Sequence, residues 1–262
     1  MTVYYAVGGG LGHQTRARRV VEALSLDGVE IVTSADLPAR LEGDRDGHRR
    51  WCEDRFRGGH VLVDAFPAGI QGELSGIEGV HFDYVARLVQ WSAYREAVPH
   101  DAPRFEATYL TEPLTPSHDE FVRASSARVL PLTLSAPTPA HPKDANVAAP
   151  YALVVHSGPA AEVEELITYA GELGSERILV ATRCDFSLSS VVERIDTDRP
   201  FDYFEGATRI ISAAGFNVML ETEQWSEKHH VLPFPRRFDD QFLRAARRRG
   251  RMRQPPHLGA TG

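Results

Sequence analysis

The stretch VGGGLGHQTRARRVVEAL, residues 7–24, decides the fold class. It overlaps the β-rich run VYYAV, and its glycines stand where a strand must turn into a helix. After them, Ala17, Val20 and Val21 take positions i, i+3 and i+4 of one helix face. Glycine tolerates the backbone angles of such a turn and lets a ligand approach the backbone closely. The stretch therefore predicts a strand–turn–helix unit, the building block of α/β folds.

The same alternation of strand and helix patterns continues along the chain. Strand patterns occur in GVEIVTS, HVLVDAF and EATYLTEP, whereas HFDYVARLVQWSAYREA, residues 81–97, is expected to form one helix. The proline-rich stretch 135–150 has no apolar period and predicts a linker, after which the alternation restarts at YALVVHSG. We therefore expect an α/β fold of two Rossmann-like domains with parallel sheets, at 1–134 and 151–262, facing each other across a cleft.

The composition favours a globular protein of a reducing compartment. Among 262 residues, 42% are hydrophobic and 25% charged, and the formal net charge of −7 disfavours a nucleic-acid partner. Cys52 and Cys184 lie far apart and match no zinc or disulfide spacing. The start of the chain has no signal-peptide pattern, and no apolar run approaches the ~20 residues of a bilayer span. A cytoplasmic location without a transmembrane segment is expected.

The first glycine turn carries a histidine. Gly10 and Gly12 precede a predicted helix whose unpaired amides and dipole favour an anion. A dinucleotide fingerprint would require a third glycine where this chain has Thr15, so a nicotinamide cofactor is disfavoured. His13 follows at the strand's carboxyl end, where an imidazole of pKa ~6.5 can act as a general base. A helix-capping or solvated histidine is the alternative.

A second glycine turn lies in IISAAGFNVMLE. Gly215 and Asn217 can bring backbone amides against a phosphate. Glu221 follows one helical turn after Asn217 on the same face, where its carboxylate can accept both hydroxyls of a ribose. The two features together predict a nucleotide diphosphate lying along one helix.

Polar residues near two further turns extend this prediction. Asp239, Asp240 and Gln241, in FDDQFLRA, either cap the next helix or reach the hydroxyls of a sugar. Capping alone is the simpler alternative for Asp239, but it explains Gln241 poorly. Gly158 ends the first strand after the linker, where it can touch phosphate. His118-Asp119, His81-x-Asp83 and His229-His230 each lack a third ligand at a suitable spacing, so no metal site is expected.

These motifs resemble those of GT-B-type bacterial glycosyltransferases, a class that includes the UDP-GlcNAc transferase of peptidoglycan synthesis. GGGLGHQTRA resembles their N-terminal glycine loop, IISAAGFNVMLE with LPFPRRFDDQFLRA their donor-binding signature, and VLVDAFPAG a strand and loop of predicted members. The resemblance implies metal-independent, inverting transfer of a sugar from a nucleotide diphosphate sugar, with UDP expected, to a small-molecule, lipid-linked or polysaccharide acceptor. It implies His13 near the acceptor, as the base or as a phosphate contact, and a phosphate or acceptor loop at Gly10, Gly12 and Arg16. The implied donor contacts are Gly158, Gly215, Asn217, Glu221, Asp240 and Gln241.

Two departures leave other functions open. TEQWSEKHH stands where the family has an apolar stretch with Gly-x-Pro, which puts the base-binding part of the pocket in question. The chain is also short, and GLGHQTR fits the Gly-x-Gly-His-x-x-Arg loop of pseudaminic-acid-pathway nucleotide-sugar hydrolases. Hydrolysis of a nucleotide sugar is therefore one alternative. A non-catalytic relative that keeps only the fold is another.

Overall fold

The computed structural model describes residues 1–8, 11–138, 150–174, 177–186 and 190–253. Within them the chain forms two compact units. The first comprises Met1–Ser135 together with the three residues Arg237–Asp239, and the second comprises the remainder. The three-residue segment is flanked on both sides by residues of the second unit.

The first unit is built on a six-stranded parallel sheet in the order β2-β1-β3-β4-β5-β6. Its strands are β1 Thr2–Ala6, β2 Val29–Thr33, β3 His60–Asp64, β4 His81–Ala86, β5 Phe105–Leu110 and β6 Ser126–Pro131. Its helices are α1 Leu11–Ala23, α2 Arg45–Phe56, α3 Trp91–Ala97 and α4 Pro116–Ser125. Short 3-10 helices span Ser34–Asp36 and Ala39–Leu41.

The prediction of one helix over residues 81–97 is wrong, because its first part is the strand β4. Every residue of β4 after His81 is buried, as expected for a central parallel strand covered on both faces. Such a strand gives a continuous apolar run, which imitates a buried helix in the sequence. The polar Asp83 fits there because it accepts the amide proton of Ala107 at 2.8 Å and pairs with the imidazole of His60 at 3.0 Å. Only Trp91–Ala97 is helical.

The second unit is built on a five-stranded parallel sheet in the order β11-β10-β7-β8-β9. Its strands are β7 Tyr151–Val155, β8 Ile178–Ala181, β9 Val192–Ile195, β10 Ala207–Ser212 and β11 His229–Val231. Its helices are α5 Ala160–Glu172, α6 Phe216–Glu221 and α7 Gln241–Arg253, with 3-10 turns at Pro200–Tyr203 and Glu223–Lys228. The inner strands β7, β8 and β10 supply apolar residues to cores on both faces of the sheet.

These parallel sheets with intervening helices confirm the predicted α/β class with Rossmann-like architecture. In each sheet the strand order reverses at its first strand. The reversal lies between β1 and β3 in the first unit and between β7 and β10 in the second. Ligands of open α/β sheets bind beyond the carboxyl ends of the strands at such a point. The loops that follow these four strands are therefore the places to look for chemistry in each unit.

Candidate functional site

The end of β3 places a carboxylate beside the glycine turn. Asp64 is the last residue of β3, and Ala65 after it has a φ of +64°, in the left-handed region. The amide of Phe66 donates to the carbonyl of Asp64 at 2.7 Å, which closes a three-residue γ-turn around Ala65. The Tyr84 hydroxyl donates to the Ala65 carbonyl at 2.9 Å and fixes the strained residue from the neighbouring strand β4.

His13 and Asp64 form a buried pair. Nδ1 of His13 lies 2.7 Å from Oδ2 of Asp64, and their side chains are 10% and 0% exposed. An ionised carboxylate only accepts hydrogen bonds, so this contact requires the imidazole proton on Nδ1. Nε2 then carries the lone pair. The arrangement orients the ring and selects the tautomer that can take up a proton at Nε2.

The same carboxylate receives further donors. Nε of Arg16 donates to Oδ1 of Asp64 at 2.9 Å, and an amino group of that guanidinium pairs with Oδ2. The Tyr4 hydroxyl donates to Oδ1 at 3.0 Å. Burial by itself would raise the pKa of Asp64, but the charge of Arg16 and the contact with His13 together hold it well below its ordinary value. Asp64 is therefore a permanent anion.

The imidazole of His13 remains neutral at pH 7. Burial lowers its pKa below 6.5, and Asp64 opposes this effect without cancelling it. The guanidinium groups of Arg16 and Arg87 lower the pKa further by repulsion. A neutral, oriented imidazole at a strand's carboxyl end is the state that general-base chemistry requires.

Three other residues were predicted for this loop, Gly10, Gly12 and Arg16, and the structure describes two of them. Gly12 lies in the first turn of α1, next to His13. Gly10 lies outside the described residues. Arg16 is 3% exposed, and its guanidinium faces Asp64 inside the unit. The structure therefore brings Gly12, His13 and Arg16 together. It also pairs Arg16 with the Asp64 carboxylate, a contact that the sequence motifs do not predict.

In the second unit, the predicted diphosphate and ribose residues lie on one short helix. Gly215 is the N-cap of α6, Asn217 is its second residue, and Glu221 its last. Glu221 is buried, whereas Asn217 is half-buried. The helix has six residues, so its dipole is weak and any anion would depend on local amides and side chains.

Asp240 and Gln241 have structural contacts. Oδ1 of Asp240 accepts the amide proton of Leu243 at 3.0 Å, which caps α7. Oε1 of Gln241 accepts the amide proton of Phe234 at 3.0 Å and ties the preceding loop to the helix. The Asp239 carboxylate pairs with the Arg87 guanidinium within the first unit, so the observed cap of α7 comes from its neighbour Asp240.

Gly158 lies beside a second histidine–carboxylate pair. Nε2 of His156, directly after β7, lies 2.7 Å from Oε2 of Glu162, and Arg236 binds the same carboxylate at 2.6 Å. A Cβ atom at Gly158 would collide with the His156 ring, so the close packing requires glycine. The carbonyl of Gly158 accepts from Sγ of Cys184 at 2.7 Å.

Sequence reasoning missed Asp64, His156 and Glu162. For Asp64 the sequence signal was partial: it ends the apolar run HVLVD, but only the strand order places that run next to β1. Among the described residues, no group of three or more His, Cys, Asp and Glu side chains is placed to hold a metal ion. None of the described helices combines the length and apolar character needed to cross a membrane.

No family model and no curated protein matches this sequence. Several solved structures do resemble it in fold. The spinosyn rhamnosyltransferase SpnG matches with a TM-score of 0.59 and 14% identity over 96% of this chain and 84% of its own. SpnG complexed with thymidine diphosphate gives 0.58 and 16% over 96% and 84%.

Two further glycosyltransferases resemble the chain at similar distance. The glycotransferase of kitacinnamycin matches with a TM-score of 0.56 and 15% identity over 95% of this chain and 84% of its own. SnogD from Streptomyces nogalater matches with 0.51 and 15% over 89% and 81%. The fold of this chain is therefore that of GT-B-type glycosyltransferases, as the glycine turns predict.

Proposed function

We propose that this protein is a glycosyltransferase that moves a sugar from a nucleotide diphosphate sugar to an acceptor hydroxyl, with His13 as the general base. The contact between Nδ1 of His13 and Oδ2 of Asp64 at 2.7 Å carries the proposal. It gives the imidazole a fixed tautomer and a permanent counter-charge. Solved structures of the same fold whose names describe glycosyltransferases support this class of reaction.

The proposed transfer needs only the His13 imidazole, the Asp64 carboxylate and the two substrates. Nε2 of His13 takes the proton from the acceptor hydroxyl, and the acceptor oxygen forms a bond to the anomeric carbon. The bond from that carbon to the diphosphate oxygen breaks, and the nucleoside diphosphate leaves with the electron pair. Asp64 stabilises the imidazolium that forms, because its charge lies next to Nδ1. One displacement of this kind inverts the anomeric configuration.

The donor is assigned to the second unit as a prediction from its sequence motifs. Gly158, Gly215 and Asn217 would meet the diphosphate, and Glu221 the ribose. Asp240 and Gln241 would meet the sugar, in addition to their contacts in the fold. UDP was expected from the sequence, and the neighbour bound to thymidine diphosphate adds dTDP-sugars as donors to test. Metal independence, a bacterial source and a cytoplasmic location remain predictions.

The test is turnover of UDP- and dTDP-sugars with a panel of hydroxyl acceptors, measured as released nucleoside diphosphate and as glycosylated product by mass spectrometry. His13→Gln is expected to lower kcat by roughly 100-fold or more, since general bases contribute about that much. His81→Gln is the matched control, because His81 is exposed and lies at the start of β4. Full turnover by His13→Gln would refute the base assignment. Unchanged rates in excess EDTA would support metal independence.

The same measurements separate the alternatives. Stoichiometric release of free sugar without any acceptor would replace transfer by hydrolysis, in which the His13–Asp64 pair activates water. Slow release that an acceptor accelerates supports transfer. A protein that binds no nucleoside diphosphate in calorimetry would be a non-catalytic relative, and both enzymatic functions would fall.

A further inference from the structure

A short segment of the chain is docked on the first unit apart from the rest of its sequence neighbourhood. Phe238 is 5% exposed and packs edge-on against Phe66 and Tyr94, with ring centroids 5.6 and 5.5 Å away. The amide of Gln90 donates to its carbonyl at 2.7 Å. Asp239 then forms an antiparallel bridge with Val89. We call Arg237–Asp239 the docked segment.

The docked segment reaches the His13 centre along two routes. The ring of Phe66, on which Phe238 packs, lies 6.1 Å from the His13 ring at an interplanar angle of 30°. The Asp239 carboxylate pairs with Arg87, a guanidinium that is 5% exposed and follows β4. Phe238 thus holds Asp239 in position through packing, and Asp239 holds Arg87 through charge.

The charged groups that act on His13 come from several elements. Asp64 at the end of β3 favours the imidazolium, whereas Arg16 on α1 and Arg87 after β4 disfavour it. Asp239, in the docked segment, opposes the charge of both arginines: it pairs with Arg87 and attracts Arg16. Tyr4 on β1 also contacts this centre through Asp64.

We propose that Asp239 is a positioning residue for His13: it holds the Arg87 guanidinium, which comes two residues after the β4 residue paired with Asp64, and offsets that group's charge, while Phe238 anchors it. This inference rests on the proposed role of His13 as the base. It assigns a function to an acidic residue outside the predicted donor contacts, next to Asp240, which caps α7.

The direction of the effect follows from the charges. Arg87 lowers the pKa of His13, and the carboxylate of Asp239 weakens that repulsion. Asp239→Asn removes the counter-charge, so the pKa of His13 falls. Arg87→Gln removes the repulsion itself, so the pKa rises. The double variant removes both charges and should fall between the two single variants.

The experiment is an NMR titration of the His13 imidazole in the full chain without substrate, assigned by its loss in His13→Gln. We expect Asp239→Asn to lower the titration midpoint and Arg87→Gln to raise it, each by more than the midpoint varies between replicate wild-type titrations. Asp239→Glu should restore the wild-type midpoint. Phe238→Leu, which loosens the anchor, should shift the midpoint in the same direction as Asp239→Asn.

Asp54→Asn is the matched control, because Asp54 on α2 forms an exposed ion pair with Arg57 and the change removes the same charge. Circular dichroism establishes that each variant is folded. A midpoint unchanged in folded Asp239→Asn, or shifted no more than in Asp54→Asn, overturns the proposal. If Asp239→Asn does not fold, Arg87→Gln decides, and an unchanged or lowered midpoint there also overturns it.

The activity measurement keeps this inference separate from the proposed function. In Asp239→Asn the acid limb of kcat/KM should move to lower pH with the NMR midpoint, a displacement that a merely structural role would not produce. Absence of transferase turnover in the wild type would defeat the proposed function. The NMR midpoints would still test the role of Asp239, because that titration needs no turnover.

Discussion

At Asp64, donors from two separate elements converge on the carboxylate of a third. Tyr4 comes from β1, His13 and Arg16 come from α1, and the carboxylate itself ends β3. The chain accepts a buried charge here because hydrogen bonds and an arginine compensate it. A buried anion with this many partners fixes the ring of His13 more tightly than packing alone could.

Asp64→Asn should therefore reduce kcat/KM by roughly 100-fold or more while leaving the backbone intact. The amide keeps the size of the carboxylate, but it no longer stabilises the imidazolium and it can donate to Nδ1, which selects the wrong tautomer. Steady-state kinetics with whichever UDP- or dTDP-sugar the wild type turns over checks this. Wild-type kcat/KM in Asp64→Asn would contradict the assignment of Asp64 as the partner of the base.

A second prediction concerns the pH dependence of kcat/KM. Because burial lowers the pKa of His13 below 6.5, the imidazole stays a neutral base until the pH falls through that lowered value. The acid limb of kcat/KM should therefore have its midpoint below pH 6.5, and the activity should be lost on further acidification. A limb centred above pH 6.5 would contradict the lowered pKa.

At the scale of elements, periodicity identified most strands and helices but failed at β4. Residues of β4 after His81 are buried on both faces, so no alternation remains to distinguish strand from helix. Capping was equally ambiguous in FDDQ, where Asp240 caps α7 and Asp239 pairs with Arg87. Which aspartate caps the helix depends on Arg87, the ion-pair partner of Asp239 about 150 positions away. Local sequence patterns do not reveal such a distant partner.

The pairing of His13 with Asp64 was hidden for a related reason. The two residues are 51 positions apart and meet only because β1 and β3 are neighbours in the sheet. Strand order is a tertiary property. The sequence could supply the histidine at the glycine turn, but its partner and the inward-facing Arg16 required the fold.

The helix α4 carries a histidine that should make the first unit sensitive to acid. His118 is fully buried, stacks on Trp91 at 4.1 Å and lies 3.1 Å from the Tyr84 hydroxyl. Burial lowers its pKa from 6.5 to about 3. The folded pKa lies below the unfolded one, so protons bind preferentially to the unfolded chain as the pH falls below 6.5.

We expect this histidine to cost about 1 kcal/mol of unfolding free energy per pH unit between pH 6 and pH 4. His118→Phe keeps the stacking and removes the titration, so its stability should depend less on pH. Hydrogen exchange of the β4 amides at pH 6, 5 and 4 measures this for the first unit. The exposed His81→Gln should leave the wild-type slope intact. An equal slope in His118→Phe would contradict the prediction.

At the scale of the whole molecule, each unit repeats one plan. A parallel sheet reverses its strand order at its first strand, and a histidine–carboxylate–arginine cluster is built from residues at and after the carboxyl ends of its strands. The clusters contain His13, Asp64 and Arg16 in the first unit and His156, Glu162 and Arg236 in the second. The similarity of the plans does not make the roles equal, because only the first cluster presents the neutral Nε2 that the proposed chemistry uses. In the second, Nε2 is the atom that contacts the carboxylate.

Binding of the donor nucleotide should stabilise the protein, and the proposed function assigns the residues that bind it to the second unit. A ligand at 100 times its dissociation constant adds about 2.7 kcal/mol to the unfolding free energy, so a thermal-shift screen of UDP, dTDP, GDP and CDP should single out one nucleotide.

Glu221→Gln should lower the affinity for that nucleotide roughly tenfold, because the side chain proposed to accept the ribose hydroxyls loses its charge. Glu227→Gln, an exposed neighbour in the following 3-10 turn, should bind like the wild type. Equal affinity in Glu221→Gln would remove Glu221 from the donor site. The absence of a shift with every nucleotide would remove the donor from the second unit altogether.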